Sequence, residues 1–203
     1  MEQNIEKKII EAAKRAFLKK GYSDTNMAEI AEEVGLTRPA MHYYFRTKER
    51  LFKAALGELI HILLPKLRGY ITSDATLREK VTNIVSTYTE LLKETPEIPL
   101  FIIKEINRDV NNMLSIASDT FIIESAGMLK AAIQQEIAAG HIKNVPIMDI
   151  VYTMYGLMAF PVLARPLGNA IFDTDITNEE FRQRWKNNII EQMVHMLTPE
   201  EKE

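Results

Sequence analysis

The side chains with the most chemistry lie close together, in the segment LTRPAMHYYFRTKERLF at positions 36–52. Arg38 carries a planar fork of donors that matches the two acceptors on the edge of a guanine. Lys48 offers a point charge that suits a phosphate, and His42 and Tyr43 add polar groups carried on rings. This combination points to a polyanion that also presents flat hydrogen-bonding groups.

Spacing sorts this segment into two faces of one short helix. Met41 and Phe45 are four residues apart and share a face with Leu36, so we expect them to pack on neighbouring helices. Tyr44 falls between the two faces. The alternatives are that the segment is a solvated corner between helices, or that Tyr43 and Tyr44 both lie in the core. The residues that point away from the packed face are Arg38, Pro39, His42 and Tyr43.

Two short helices joined by a tight turn must position this exposed face. Asn26 can cap the first of them, with Glu29 completing a capping box, and Gly35 ends it. Thr37 can cap the second, and Pro39 is tolerated in its first turn. This order predicts a helix-turn-helix, whose second helix enters the major groove of DNA.

The remainder also has helical periodicity, so the predicted fold class is all-α. A first helix over 4–20 should end at Gly21, and a fourth helix capped by Thr47 should kink or end at Pro65. Further helices are predicted over 76–94, 97–110 and 118–139, and another begins at about 147. The loop GNAIFDTDITN then precedes a last helix. The stripe of that last helix is Phe181, Trp185, Ile189, Met193 and Leu197.

Composition excludes several classes of protein. There are no cysteines, so disulfides and thiolate metal sites are absent. No apolar run approaches the ~18 residues of a membrane span, and the first residues do not resemble a signal peptide, so we expect a cytoplasmic protein. The net charge of −3 divides into +3 over residues 1–53 and −6 over residues 54–203, which favours an anionic partner at one end.

An enzyme is not expected. The four histidines form no pair at metal-ligand spacing, and neither a phosphate-binding loop nor a nucleophile elbow is present. Glu191 and His195 are four residues apart, but we expect a pair facing solvent. We therefore predict no catalytic residue, no metal and no cofactor.

The segments IIEAAKRAFLKKGY and TNMAEIAEEVGLTRPAMHYYFRTKERLF resemble the DNA-binding domain of the tetracycline-repressor (TetR) family of bacterial transcription regulators. The resemblance covers residues 9–53 and has one departure: this family most often has Tyr where this chain has His42. The phosphate contact of that Tyr is therefore open between His42 and Tyr43. The resemblance assigns DNA-facing roles to Thr25, Asn26, Thr37, Arg38, Pro39, Ala40, His42, Tyr43 and Lys48.

The resemblance also implies domains and partners. Residues 1–53 would form the helix-turn-helix domain, joined by helix 4 to a larger effector-binding and dimerisation domain at 54–203. A homodimer would bind a palindromic operator in double-stranded DNA, most often as a repressor. A small apolar or amphipathic effector would release it by shifting helix 4. The alternative is an architectural or partner-controlled DNA-binding protein without a small-molecule ligand.

Two surfaces are predicted in the C-terminal domain. Seven of the ten methionines follow residue 53, and methionine is frequent at adaptable binding surfaces, although a methionine-rich core without a ligand is the alternative. The predicted effector-binding residues are Phe101, Phe121, Met128, Tyr152 and Tyr155. The residues predicted at a dimer interface, on the last two long helices, are Met158, Trp185, Ile189 and Met193.

Overall fold

The chain is all-α, as predicted. The computed structural model describes residues 2–111, 114–115, 122–173 and 175–199, and no strand occurs within these ranges. The helices are α1 (Glu2–Asp24), α2 (Met27–Glu33), α3 (Arg38–Tyr44), α4 (Lys48–Ile71), α5 (Leu77–Glu94), α6 (Ile98–Arg108), α7 (Ile122–Ala138), α8 (Ile147–Leu163), α9 (Arg165–Phe172) and α10 (Glu179–Leu197).

The chain divides into two compact units. Unit 1 consists of Met1–Leu64 and Leu100–Ser125, and unit 2 of Pro65–Pro99 and Ala126–Glu203. This division differs from the predicted boundary between residues 53 and 54, which falls inside α4. Helix α4 is continuous there, and its residues on both sides of position 53 belong to one core.

The core of unit 1 is built around aromatic rings. Phe17 of α1 and Phe52 of α4 meet edge to face, with ring centroids 4.8 Å apart. Phe101 of α6 packs against Phe52 at 6.0 Å and is buried in the same cluster. Phe101 was predicted to bind an effector, but its ring is occupied by this packing.

Three backbone features concern the helix ends and loops expected from the sequence. Gly21 has a φ of 83°, as a helix-ending glycine should, yet one more helical turn follows it to Asp24. Pro65 lies inside α4, which continues to Ile71. Residues 165–172 form α9, although 168–172 were predicted to be loop, and Pro166 occupies its first turn, where no backbone donor is lost.

Unit 2 is built around α10. The stripe on this helix is buried at Ile189, Met193 and Leu197, and α10 packs against both α5 and α8. The indole Nε1 of Trp185 donates to the carbonyl of Leu157 in α8 at 2.9 Å.

Two polar pairings support α5 in this unit. A capping box of Thr76 and Glu79 begins α5. Arg78 in its first turn donates to both carboxylate oxygens of Glu191 in α10, at 2.5 and 2.8 Å. Glu191 therefore pairs with Arg78 on another helix, and both Glu191 and His195 face solvent, as expected.

Among the described residues, no single helix has the length and apolar composition needed to cross a membrane. The bent pair α8 and α9 meets that requirement by length and composition only, with 62° between its two helices.

Candidate nucleic-acid interface

The turn between α2 and α3 is closed by backbone hydrogen bonds. The N–H of Gly35 donates to the carbonyl of Glu32 at 3.0 Å, and the N–H of Leu36 donates to the carbonyl of Ala31 at 2.8 Å. This pair of bonds is a Schellman motif, which requires a left-handed residue after the helix. Gly35 supplies it with a φ of 72°. The turn therefore fixes where α3 starts relative to α2.

Side-chain caps begin both helices. Asn26 accepts a hydrogen bond from the N–H of Ala28 at 2.9 Å, and Thr37 accepts one from the N–H of Ala40 at 3.4 Å. The predicted capping box on α2 does not form, because the carboxylate of Glu29 pairs with Lys20 of α1 instead. That ion pair ties the start of α2 to α1.

Helix α3 has the two predicted faces. Met41 and Phe45 are buried in the core of unit 1. Tyr44 is half-buried and packs on the same core, while its ring meets that of Tyr43 edge to face at 5.3 Å. Tyr44 therefore belongs with the packed face, and it supports the more exposed Tyr43.

The opposite face of α3 is open to solvent. The Tyr43 side chain is 74% exposed, and Ala40 is half-buried at the edge of the face. Arg46, directly after the helix, is also exposed and adds a cation that the resemblance did not single out. The other exposed residues on this side are Thr37, Arg38, Pro39 and His42.

The ring of His42 has a defined orientation. Its Nδ1 lies 3.2 Å from the carbonyl oxygen of Arg46, which can only accept, so Nδ1 is the donor. A neutral His42 therefore presents Nε2 as an acceptor, and only the imidazolium presents an N–H there. A phosphate accepts but does not donate, so a phosphate contact through Nε2 requires protonated His42.

Two residues predicted to face DNA are turned inward. Thr25 is only 3% exposed, and its hydroxyl donates to the carbonyl of Gly21 at 2.7 Å. The ammonium of Lys48 donates to the carbonyls of Thr25 and Ser23, at 2.8 and 3.1 Å. It also lies 4.5 Å from the centre of the Tyr22 ring. These groups hold the segment before α2, so the structure shows an internal role for both residues, and their contact with DNA stays a prediction.

A carboxylate from α6 completes this arrangement within unit 1. Glu105 is 2% exposed and accepts hydrogen bonds from the N–H of Tyr22 at 2.9 Å and from Nε of Arg108 at 2.8 Å. The Arg108 guanidinium lies 4.6 Å from the centre of the Tyr22 ring. Burial, with the nearby Glu49 and Glu105 charges, raises the pKa of the Tyr22 hydroxyl. Sequence reasoning missed Glu105, since its only local signal is an ordinary i, i+3 pair with Arg108.

The predicted effector residues of unit 2 lie in different surroundings, and their role in binding stays a prediction. Tyr152 is 69% exposed, whereas Tyr155 is half-buried against the ring of Tyr88. The sulfur of Met128 accepts from Arg68 at 3.2 Å, and Phe121 lies outside the described residues. A pocket of about 390 Å³ occurs in unit 2, and none of the predicted residues lines it. Its lining is Thr72, Ser73, Asp74, Ala75, Thr76, Leu77, Lys80, Glu136, His141 and Ile142.

The predicted dimer residues are also placed differently. Ile189 and Met193 are fully buried inside unit 2, and Met158 is buried as well. Trp185 is half-buried, with its indole N–H bonded within the chain. Buried side chains leave no surface for a second chain, so Met158, Ile189 and Met193 are corrected from interface to core, whereas an interface role of Trp185 stays a prediction. Within the described ranges, no cluster of three or more His, Cys, Asp or Glu residues could hold a metal ion.

Comparison with known proteins agrees with this geometry. Residues 9–55 match the family model for bacterial regulatory proteins of the tetR family. The transcriptional regulator TtgR of Pseudomonas putida is 46% identical over 57 residues, which are 28% of this chain and 27% of that protein. The alignment thus spans about a quarter of the relative.

Solved structures extend the likeness in fold to the whole chain. A linker-substituted mutant of HlyIIR has a TM-score of 0.69 at 21% identity, covering 98% of this chain and all of that one. FadR of Bacillus subtilis, in complex with stearoyl-CoA, has a TM-score of 0.69 at 20% identity, covering 93% of this chain and 97% of that one. Residues 9–55 therefore match the tetR family of bacterial regulatory proteins, and the chain as a whole shares the fold of these solved structures.

Proposed function

We propose that this chain is an effector-responsive transcription regulator, a repressor that binds a palindromic operator as a homodimer. The observation that carries the proposal is the division of α3 into a buried face and an exposed face. Met41 and Phe45 anchor the helix, so Arg38 and Tyr43 are presented on a rigid element. Rigid presentation is what base recognition requires, because a misplaced side chain loses its hydrogen bonds.

The exposed residues divide into two roles. Arg38 in the first turn of α3 reads a guanine through O6 and N7, and Pro39 meets thymine methyl groups. Tyr43 and Arg46 contact the phosphates on either side, which orients α3 in the groove. His42 contributes a phosphate contact when its ring is protonated.

A second copy of the chain covers an apolar face of unit 2. Met148, Tyr152 and Phe160 recur at multiples of four residues along α8, and all three are exposed. Leu167, Ile171 and Phe172 of α9 are exposed as well. Apolar side chains exposed together are typical of protein interfaces, and one helix-turn-helix contacts too few bases to be specific alone.

Effector response is supported by structural likeness. The similar FadR structure of Bacillus subtilis contains stearoyl-CoA, and that likeness is in fold only. An effector releases DNA if it binds the non-binding conformation better than the DNA-binding one. For this chain we propose a small apolar or amphipathic effector in unit 2.

The test is to select binding sites from random duplex DNA with the full chain, then to measure affinities by fluorescence anisotropy. Arg38→Ala should weaken the selected site by about 1–3 kcal/mol in each half-site and relax specificity at one base pair. Specificity should change because the lost contact is to a base.

Arg15→Ala is the matched control, since it removes the same charge from an exposed position on α1. It should leave base preference unchanged. An Arg38→Ala protein with the affinity and base preference of the wild type would refute the assignment of α3 as the reading helix.

A further inference from the structure

Two tyrosine hydroxyls inside unit 2 have no hydrogen-bond partner among the described residues. Tyr88 of α5 is only 8% exposed, and its ring meets that of Tyr155 of α8 at 6.0 Å between centroids, with 72° between the planes. Both hydroxyl oxygens are inaccessible to solvent. Buried polar groups without a partner are uncommon in folded proteins, and each one calls for a physical reason.

The chemistry of the pair is that of two neutral donors. Burial raises the pKa of both hydroxyls, and for Tyr88 the nearby Tyr155 adds to the effect. The hydroxyls are therefore protonated at any physiological pH. Even if one were turned to donate to the other, one phenolic hydrogen would still lack an acceptor.

Neighbouring polar groups in the same unit are satisfied, which sets this pair apart. The hydroxyl of Tyr70 lies 3.1 Å from that of Thr87, and Ser86 donates to the carbonyl of Thr82 at 2.6 Å. The indole of Trp185 also has its acceptor, in α8 itself. The two orphaned hydroxyls are thus a local feature of the place where α5 meets α8.

Their surroundings along each helix are apolar. Val85 and Leu92 lie three residues before and four residues after Tyr88, and both are buried. Met158 lies three residues after Tyr155 and is buried too. A molecule that satisfies the two hydroxyls must offer oxygen acceptors at one end and apolar surface elsewhere.

We propose that Tyr88 and Tyr155 together donate hydrogen bonds to the carbonyl or carboxylate oxygen of an amphipathic effector whose apolar part packs along α5 and α8. The inference rests on the proposed effector response and adds its chemical class and its anchoring residues. Tyr152, three residues before Tyr155, is exposed and lies outside this proposed site.

The experiment uses the full chain with two probes of equal chain length, dodecanoate and dodecylammonium. Only the carboxylate accepts hydrogen bonds, so dodecanoate should bind more tightly. Binding is measured by calorimetry and by the fluorescence of Trp185, the single tryptophan, which is bonded to α8. Tyr88→Phe and Tyr155→Phe should each weaken dodecanoate binding about five- to tenfold, the usual effect of one lost hydrogen bond. Tyr44→Phe, in unit 1, is the matched control and should leave dodecanoate binding unchanged.

A second readout separates anchoring from a purely structural role. Without ligand, the melting temperature of Tyr88→Phe and Tyr155→Phe should be equal to or above that of the wild type, because no existing partner is lost. If both variants melted lower and bound dodecanoate as the wild type does, the hydroxyls would serve the fold through an internal water, and the proposal would be overturned. The absence of saturable dodecanoate binding would overturn it as well. Either result leaves sequence-specific DNA binding by the same protein unaffected, so the two proposals fail separately.

Discussion

Lys48 binds carbonyls of its own chain, although its place at the start of α4 suited a DNA phosphate. Its ammonium donates to Ser23 and Thr25, and the ring of Tyr22 lies beside it. A cation satisfied in this way holds the segment before α2. The prediction of a phosphate contact was reasonable from sequence alone, because the carbonyls that compete for Lys48 are more than twenty positions away in the chain.

Lys48→Met should therefore destabilise the protein rather than change how it responds to salt. Methionine keeps the apolar stem but loses both charge-assisted hydrogen bonds, which should cost about 1–2 kcal/mol for this half-buried group. Urea unfolding followed by circular dichroism measures the cost. The dependence of DNA affinity on salt, measured in parallel, should keep the slope of the wild type.

Lys19→Met is the control, since Lys19 is exposed on α1 and its loss should leave unfolding within about 0.5 kcal/mol of the wild type. The alternative role for Lys48 has a distinct signature. A salt slope smaller by about one, with stability intact, would place the ammonium on a phosphate after all.

At the scale of helices, features set by nearby residues could be predicted from the sequence, whereas features set by distant residues could not. Asn26, Thr37 and Gly35 mark helix ends through bonds to residues within a few positions, and the structure has those bonds. Glu29 fails as a capping-box member because Lys20 of another helix takes its carboxylate. Residues 168–172 belong to α9 although they were predicted to be loop. Tertiary packing outweighs weak propensity in such segments.

Gly35→Ala tests the turn that sets the position of α3. The φ of 72° is strained for any residue with a Cβ, although no atom lies within 4 Å of the place that a Cβ would take. The cost is therefore one of backbone conformation and should be about 1–2 kcal/mol. Urea unfolding gives the loss of stability, and DNA affinity should fall with it if the turn positions the reading helix.

Gly127→Ala is the opposite case and serves as the control. Gly127 lies inside α7 without a positive φ, and a Cβ there would also meet no atom within 4 Å. Alanine should raise stability by about 0.5–1 kcal/mol, because it restricts the unfolded chain. Equal effects of the two substitutions would show that backbone conformation at Gly35 is not what matters.

At the scale of the whole molecule, the exposed face of α3 was predictable and the surfaces of unit 2 were not. The exposed side of α3 follows from helix periodicity within seven residues. The predicted interface stripe on α10 has the same periodicity, yet it is core, since α5 and α8 cover it. Periodicity shows that a helix has an apolar face, but it does not show which partner, within the chain or outside it, packs there.

Phe160→Asp tests the dimer interface that we propose on α8 and α9 instead of α10. Phe160 is 66% exposed on α8, so a charge costs the single chain little, whereas in the centre of a dimer interface it should cost about 2 kcal/mol or more. The dissociation constant of the dimer, measured by sedimentation velocity, should therefore rise at least about thirtyfold. Affinity for a palindromic site should also fall, because the two half-sites are no longer bound together. Tyr43→Asp places the same charge on α3 and should abolish DNA binding while leaving sedimentation unchanged. If Phe160→Asp sedimented as the wild type does, the second chain would have to dock elsewhere on the protein.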